Sequence, residues 1–214
     1  MAEPMSLYVA AALGNEDLVK IMISKNTDVN EMTIYMRTPL FAAVYHSHYN
    51  VVATLLKHPQ IDVNRPDVYG RTPLHEIAKK GWSQESFRVA NALMAHPMID
   101  VNAKDLRGNT PLHLAIRHLG FAVMPVLLRS PKLDFTATDK NGLTAQKVAQ
   151  ILGHATLAES IRQAAQSQQA RKNIGLFRCS VKLVVMSRRN KLTMYAPGGP
   201  GARAAIERLS RRYM

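Results

Sequence analysis

The chain has 214 residues, 47% of them hydrophobic and 20% charged, a balance that suits a folded domain and excludes wholesale disorder. No apolar run is long enough to cross a bilayer, and Cys179 is the only cysteine, which excludes an internal disulfide and a cysteine-built zinc site. The net charge of +13 is lopsided: residues 1–165 hold 17 Lys and Arg against 14 Asp and Glu, while residues 166–214 hold 11 against 1.

In chain order, Met1-Ala2-Glu3-Pro4 lacks the basic-then-apolar layout of a secretory signal, so a cytoplasmic location is expected. Met5-Ser6-Leu7-Tyr8 then opens a worn copy of an element that recurs as Thr38-Pro39-Leu40-Phe41, Thr72-Pro73-Leu74-His75, Thr110-Pro111-Leu112-His113 and a degenerate Thr144-Ala145-Gln146-Lys147. The Thr-to-Thr spacings are 34, 38 and 34 residues. A second element, Asp28-Val29-Asn30, Ile61-Asp62-Val63-Asn64, Ile99-Asp100-Val101-Asn102 and Leu133-Asp134-Phe135, precedes each threonine in phase. Threonine heads a helix because its hydroxyl accepts from an unpaired backbone N–H, and proline suits the first turn, where no N–H needs a partner. Leu40, Leu74 and Leu112 begin buried stripes, and Val51, Val52 and Leu55 or Val123 and Leu127 continue them on second helices.

Two anchored elements recurring in phase resemble the ankyrin-repeat family over roughly residues 4–165. The resemblance implies an all-α repeat solenoid of about five stacked helix-turn-helix units joined by β-turns, with repeats near 5–37, 38–71, 72–109, 110–143 and 144–165. A lone unit cannot bury its apolar face, so neighbours must stack and the last repeat must turn polar residues outward. Gln146, Lys147, Gln150, Gln163 and Gln166 meet that demand.

Three departures stand out. Met36 holds the turn position that is glycine at Gly70, Gly108 and Gly142, which predicts a distorted or strained first hairpin. Repeat three carries about four extra residues near Trp82-Ser83-Gln84-Glu85; Trp82 either covers the neighbouring repeat or stands exposed as an anchor. Pro125 requires a first-turn position in its helix.

The resemblance also implies a non-catalytic module that binds another protein on a concave face of turn tips and first helices. Carried over position by position, the turn residues are Met32, Ile34, Tyr35, Val68, Tyr69, Leu106 and Arg107, and the first-helix residues are Tyr45, His46, Lys79, Lys80, Arg117 and His118. Tyrosine and arginine are the types enriched among binding hot spots. No cofactor, metal or small-molecule substrate is expected, since the histidines are scattered and the Gly-rich loop at 198–201 lacks a phosphate-cradling ending.

Residues 166–176 read as a polar connector and 177–214 as a basic extension, either ββα or disordered. Arg188, Arg189, Lys191, Arg208, Arg211 and Arg212 fit an anionic ligand, nucleic acid or an anionic membrane. Ser187–Lys191 matches a nuclear-import pattern loosely. The His-Pro-x-Ile-Asp-Val-Asn stretches at 58–64 and 96–102 look like those of some secreted bacterial effectors, which would place the protein in a host cell.

Overall fold

The computed structural model describes residues 5–171, and among these it contains helices and one isolated bridge, Thr138 to Thr144. The helices pair as α1 Leu7–Ala12 with α2 Glu16–Ser24, α3 Pro39–Tyr45 with α4 Tyr49–Leu55, and α5 Pro73–Lys80 with α6 Gln84–Ala95. They continue as α7 Pro111–Arg117 with α8 Met124–Leu128, and α9 Ala145–Ile151 with α10 over residues 155–171. First helices pack against first helices (α1 on α3, α3 on α5, α5 on α7, α7 on α9), and second helices follow the same order from α2 to α8. The result is the stacked array the repeats require.

Each first helix starts as its sequence dictates. The Thr38 hydroxyl accepts from Phe41 N–H at 3.2 Å and that of Thr144 from Lys147 N–H at 3.3 Å, with Pro39, Pro73 and Pro111 just inside their helices. In the worn first copy Ser6 takes this role, accepting from Val9 N–H, so α1 is one residue shorter than α3, while buried Leu7, Ala10 and Ala11 keep the register of Leu40, Ala43 and Val44. Leu40, Leu74 and Leu112 are at most 1% exposed and form a continuous apolar wall with Val51, Leu55, Leu93 and Leu127. Burial of a leucine side chain is worth about 1.5–3 kcal/mol, and here the burying surface comes from the next repeat.

Polar groups bind the same seams. Asn30 donates to Gln60 C=O and accepts from Asp62 N–H; Asn64 does so with Met98 and Asp100, and Asn102 with Lys132 and Asp134. The Asp-Val-Asn element is therefore a tether between consecutive repeats. The Nδ1 atoms of His58 and His96 each accept a backbone N–H two residues on, so the stretches at 58–64 and 96–102 are occupied in shaping and joining loops. His75 places Nδ1 against the Thr72 hydroxyl at 2.9 Å and Nε2 against Asn109 C=O at 2.9 Å; His113 repeats this with Thr110 and Leu143 C=O. Nε2 faces a carbonyl and so carries the proton, while Nδ1 accepts from the Thr72 or Thr110 N–H, which makes each ring neutral.

The first hairpin, residues 33–37, meets the strained alternative of the expectation and not the distorted one. Met36 adopts φ 57°, beside 73°, 74° and 71° at Gly70, Gly108 and Gly142, and its N–H bonds Thr33 C=O at 2.8 Å as Gly70 N–H bonds Asp67 C=O. The hairpin is undistorted; the strain sits in one left-handed methionine.

The surplus of repeat three falls at the α5–α6 junction, around residues 82–85 as expected, and is taken up by the helices. The loop between its helices is no longer than that of repeat two; α5 gains one residue and α6 starts three residues further from His96 than α4 starts from His58. Trp82 is 73% exposed, which overturns the covering role, because the loop of repeat four meets Gly81 through its backbone, Ala122 N–H to Gly81 C=O. Pro125 does fall in the first turn of α8.

Residues 166–171, read as the start of a connector, continue α10. The Gln168 amide reaches back to Ser130, Pro131 and Leu133 carbonyls at 3.0–3.3 Å. Lys147, Gln150, Gln163 and Gln166 are exposed on this last repeat and Gln146 is half-buried. The expected ββα segment and Arg188, Arg189, Lys191, Arg208, Arg211 and Arg212 lie outside the described residues.

Candidate partner-binding face

Four hairpins project from the stack at residues 33–37, 67–71, 105–109 and 139–143. In the last three an aspartate holds the loop from within: Asp67 accepts from Tyr69 and Arg71 N–H, Asp105 from Arg107 and Asn109 N–H, and Asp139 from Asn141 and Leu143 N–H, all at 2.8–3.0 Å. Thr33 does the same in the first hairpin with longer bonds of 3.3 and 3.2 Å from Tyr35 and Arg37 N–H. Successive tips are joined edge to edge, Val68 N–H to Tyr35 C=O, Leu106 N–H to Tyr69 C=O and Lys140 N–H to Arg107 C=O. Fixing the loop from inside leaves the tip side chains pointing outward.

The tips are accordingly bare. Ile34 is 88% exposed, Leu106 61%, and Met32, Tyr35, Val68 and Tyr69 are also exposed. Arg107 is exposed, as are His46, Lys80, Arg117 and His118 at the ends of the first helices, while Tyr45 and Lys79 are half-buried. A cleft of about 490 Å³ lies between the tips and α5 and α7, lined by Tyr69, Lys79, Leu106, Arg107, Arg117 and His118 among others. Six of the thirteen residues carried over from the family pattern thus meet at one cleft. Met32, Ile34, Tyr35, Val68, Tyr45, His46 and Lys80 lie outside its lining.

Charge on this face is sorted by depth. The side chains of Asp67, Glu76 and Asp139 are buried, and two of them are clamped by arginines, Arg71 to Asp67 at 2.8 Å and Arg117 to Asp139 at 2.7 Å. Burial opposes ionisation of Asp139, but the N–H bonds from Leu143 and Asn141 and the nearby Arg117 outweigh it and hold its carboxyl below the usual range. Desolvation first, then His48 and Lys80, push His46 down; desolvation and Lys79 do the same to His118. The Lys80 ammonium lies 3.0 Å from the Tyr45 ring centroid, and Arg37 stands over Phe41 at 5.3 Å.

Sequence reasoning missed two contributors. Arg71 sits over the Tyr69 ring at 4.8 Å while gripping Asp67. Glu76 is a carboxylate at a position where Leu114 and Ala42 stand in neighbouring helices; it is 1% exposed, its Oε2 accepts no hydrogen bond, and Arg71 lies 3.4 Å away. A charge one residue past a motif histidine was the only signal for it.

Among the described residues no group of three or more His, Cys, Asp or Glu could hold a metal ion, and no helix is long and apolar enough to cross a membrane.

The geometry defines a helical solenoid with exposed hairpin tips, and comparison with known proteins gives its class. A family model described as ankyrin repeats (3 copies) matches residues 7–105 and 62–139, and the chain belongs to this family. Ankyrin repeats are generally protein–protein interaction modules. Similar proteins include Alpha-latrotoxin-Lh1a of Latrodectus hasselti, 36% identical over 76 residues, 35% of this chain and 6% of that protein. The Probable E3 ubiquitin-protein ligase XBOS33 of Oryza sativa subsp. japonica is 40% identical over 76 residues, 35% of this chain and 14% of that protein. Ankyrin repeat and KH domain-containing protein mask-1 of Caenorhabditis elegans is 34% identical over 84 residues, 37% of this chain and 3% of that protein. The chain spans only a small part of these curated relatives, about two repeats' length in each case.

Proposed function

We propose that the protein is a non-catalytic interaction module that captures another protein on the face formed by its hairpin tips and first helices. The row of bare apolar and aromatic tips, Ile34, Tyr35, Val68, Tyr69 and Leu106, carries this reading. Their backbones are fixed by internal acceptors and by tip-to-tip bonds, so a partner meets a surface that loses little freedom on binding. Replacing Ile34, Tyr35, Tyr69 and Leu106 together by alanine removes apolar contact without touching a core residue. Partner capture by the full chain is expected to vanish while circular dichroism stays unchanged; undiminished capture by a folded variant rejects this face.

The composition of residues 166–214 supports a second contact with an anionic ligand, nucleic acid or a membrane surface. Its signature is a steep loss of binding as salt rises, and a flat salt response rejects it.

A further inference from the structure

The face just described is not uniform along the stack, and its polarity narrows the partner. Towards the N-terminus the tips are Ile34 and Tyr35, then Val68 and Tyr69. The third tip is mixed, with Leu106 beside Arg107, and the fourth carries Lys140 and Asn141. The first helices change in the same sense, from Tyr45 and His46 to Lys79 and Lys80 and then Arg117 and His118.

The carboxylates near these cations are already engaged or sunk. Asp67 and Asp139 are clamped by arginines, both Asp105 oxygens accept from Asn109 or its neighbours, and Glu76 lies beneath Arg71. Among the described residues, no carboxylate lies within ion-pair distance of Lys79, Lys80 or Arg107. Arg107 is exposed, Lys79 is half-buried at the cleft and Lys80 lies over the Tyr45 ring, and none of the three has a counter-charge among the described residues.

The geometry points to an acidic peptide segment of another protein as the occupant: an extended stretch whose Asp or Glu side chains pair with Lys79, Lys80 and Arg107 and whose adjoining apolar residues lie on Ile34, Tyr35, Val68 and Tyr69. It rests on the proposed function and adds the partner's chemistry. Packed helices stand about 8–10 Å apart, and an extended chain advances about 3.3 Å per residue. A strand crossing from one repeat to the next therefore presents one acid to the Lys79–Lys80 pair and another to Arg107 when its acids fall about three positions apart. The uncompensated positive charges also draw in an acidic partner before contact.

The test selects peptides from a random display library on the full chain and on the variant Lys79→Glu, Lys80→Glu, Arg107→Glu, with circular dichroism showing that both are folded. Peptides enriched on the parent are expected to carry Asp or Glu at spacings of three beside aromatic or aliphatic residues, and to bind the variant at least about tenfold more weakly. Selection of the same acidic peptides by the variant overturns the inference, since another basic region then holds them. Enrichment of apolar peptides without acids, lost on alanine replacement of Ile34, Tyr35, Tyr69 and Leu106, also overturns it and leaves the proposed function standing. No enrichment on the parent rejects both. Oligothymidine binding that falls in the variant as steeply as peptide binding assigns the cations to nucleic acid and rejects an acidic protein partner.

Discussion

In the hairpin ahead of α3, Thr33 and Met36 stand where Asp105 and Gly108 stand ahead of α7, and Phe41 takes the place of His113. Both hairpins close with the same bonds, yet the second is held by a carboxylate, an unstrained glycine and a histidine reaching Leu143, the first by a hydroxyl, a strained methionine and a buried ring under Arg37. One backbone shape thus tolerates two chemistries as long as the left-handed residue and an acceptor inside the loop are kept. What differs is how each hairpin is held: by polar groups ahead of α7, by packing and ring contacts ahead of α3.

If that difference is confined to the polar groups, the apolar wall must respond alike at both ends. Leu40→Ala and Leu112→Ala should each lose roughly 2–5 kcal/mol in urea unfolding, and a much smaller loss at one end breaks the comparison. The loop acceptors should separate the ends. Asp105→Ala strands the Arg107 and Asn109 N–H groups and should lose about 1–3 kcal/mol, whereas Thr33→Ala should lose about 0.5–1.5 kcal/mol.

The turn residues sharpen the contrast with opposite signs. Gly108→Ala puts a Cβ 2.8 Å from Lys140 N at positive φ and should destabilise by more than about 1 kcal/mol, while Met36→Gly should raise stability by about 1 kcal/mol by releasing the left-handed strain. Equal melting shifts of one sign would deny that the methionine is strained.

The smallest expected effect is a pH dependence belonging to the C-terminal tethers. Burial holds His75 and His113 below the ordinary histidine range, against the opposing pull of their carbonyl partners and of Asp105 and Asp139. Their stabilisation is complete above about pH 6.5 and falls as pH drops from there towards the folded values, because only the unfolded chain takes up those protons readily. Thermal melts of the parent should decline across this window, and His75→Phe with His113→Phe should lessen the decline, leaving the share of His46 and His118, at some loss of stability at neutral pH.

Much of the fold was legible because its signals are local. Thr-Pro-Leu fixes the start of a helix within a few residues, and the recurrence of Asp-Val-Asn gives the phase of the stack. The tip residues of the candidate face were legible for the same reason, being read at fixed offsets from each threonine. What escaped depends on partners distant in sequence. Gln168 belongs to a helix because its amide finds three carbonyls over thirty residues away, and Trp82 is bare because Gly81 meets repeat four through its backbone. Buried Glu76 depends on Arg71 folding over it, and no periodicity announces that.

Asn30, Asn64 and Asn102 each reach forward to the following repeat with both ends of one amide, and the series stops where Thr136 replaces the asparagine. Such couplings give the array a head and a tail, like links with a hook on one side and an eye on the other. A unit spliced between two of them arrives with its own hook and accepts its neighbour's, so copies can be gained or lost during evolution without rewriting the flanking sequence.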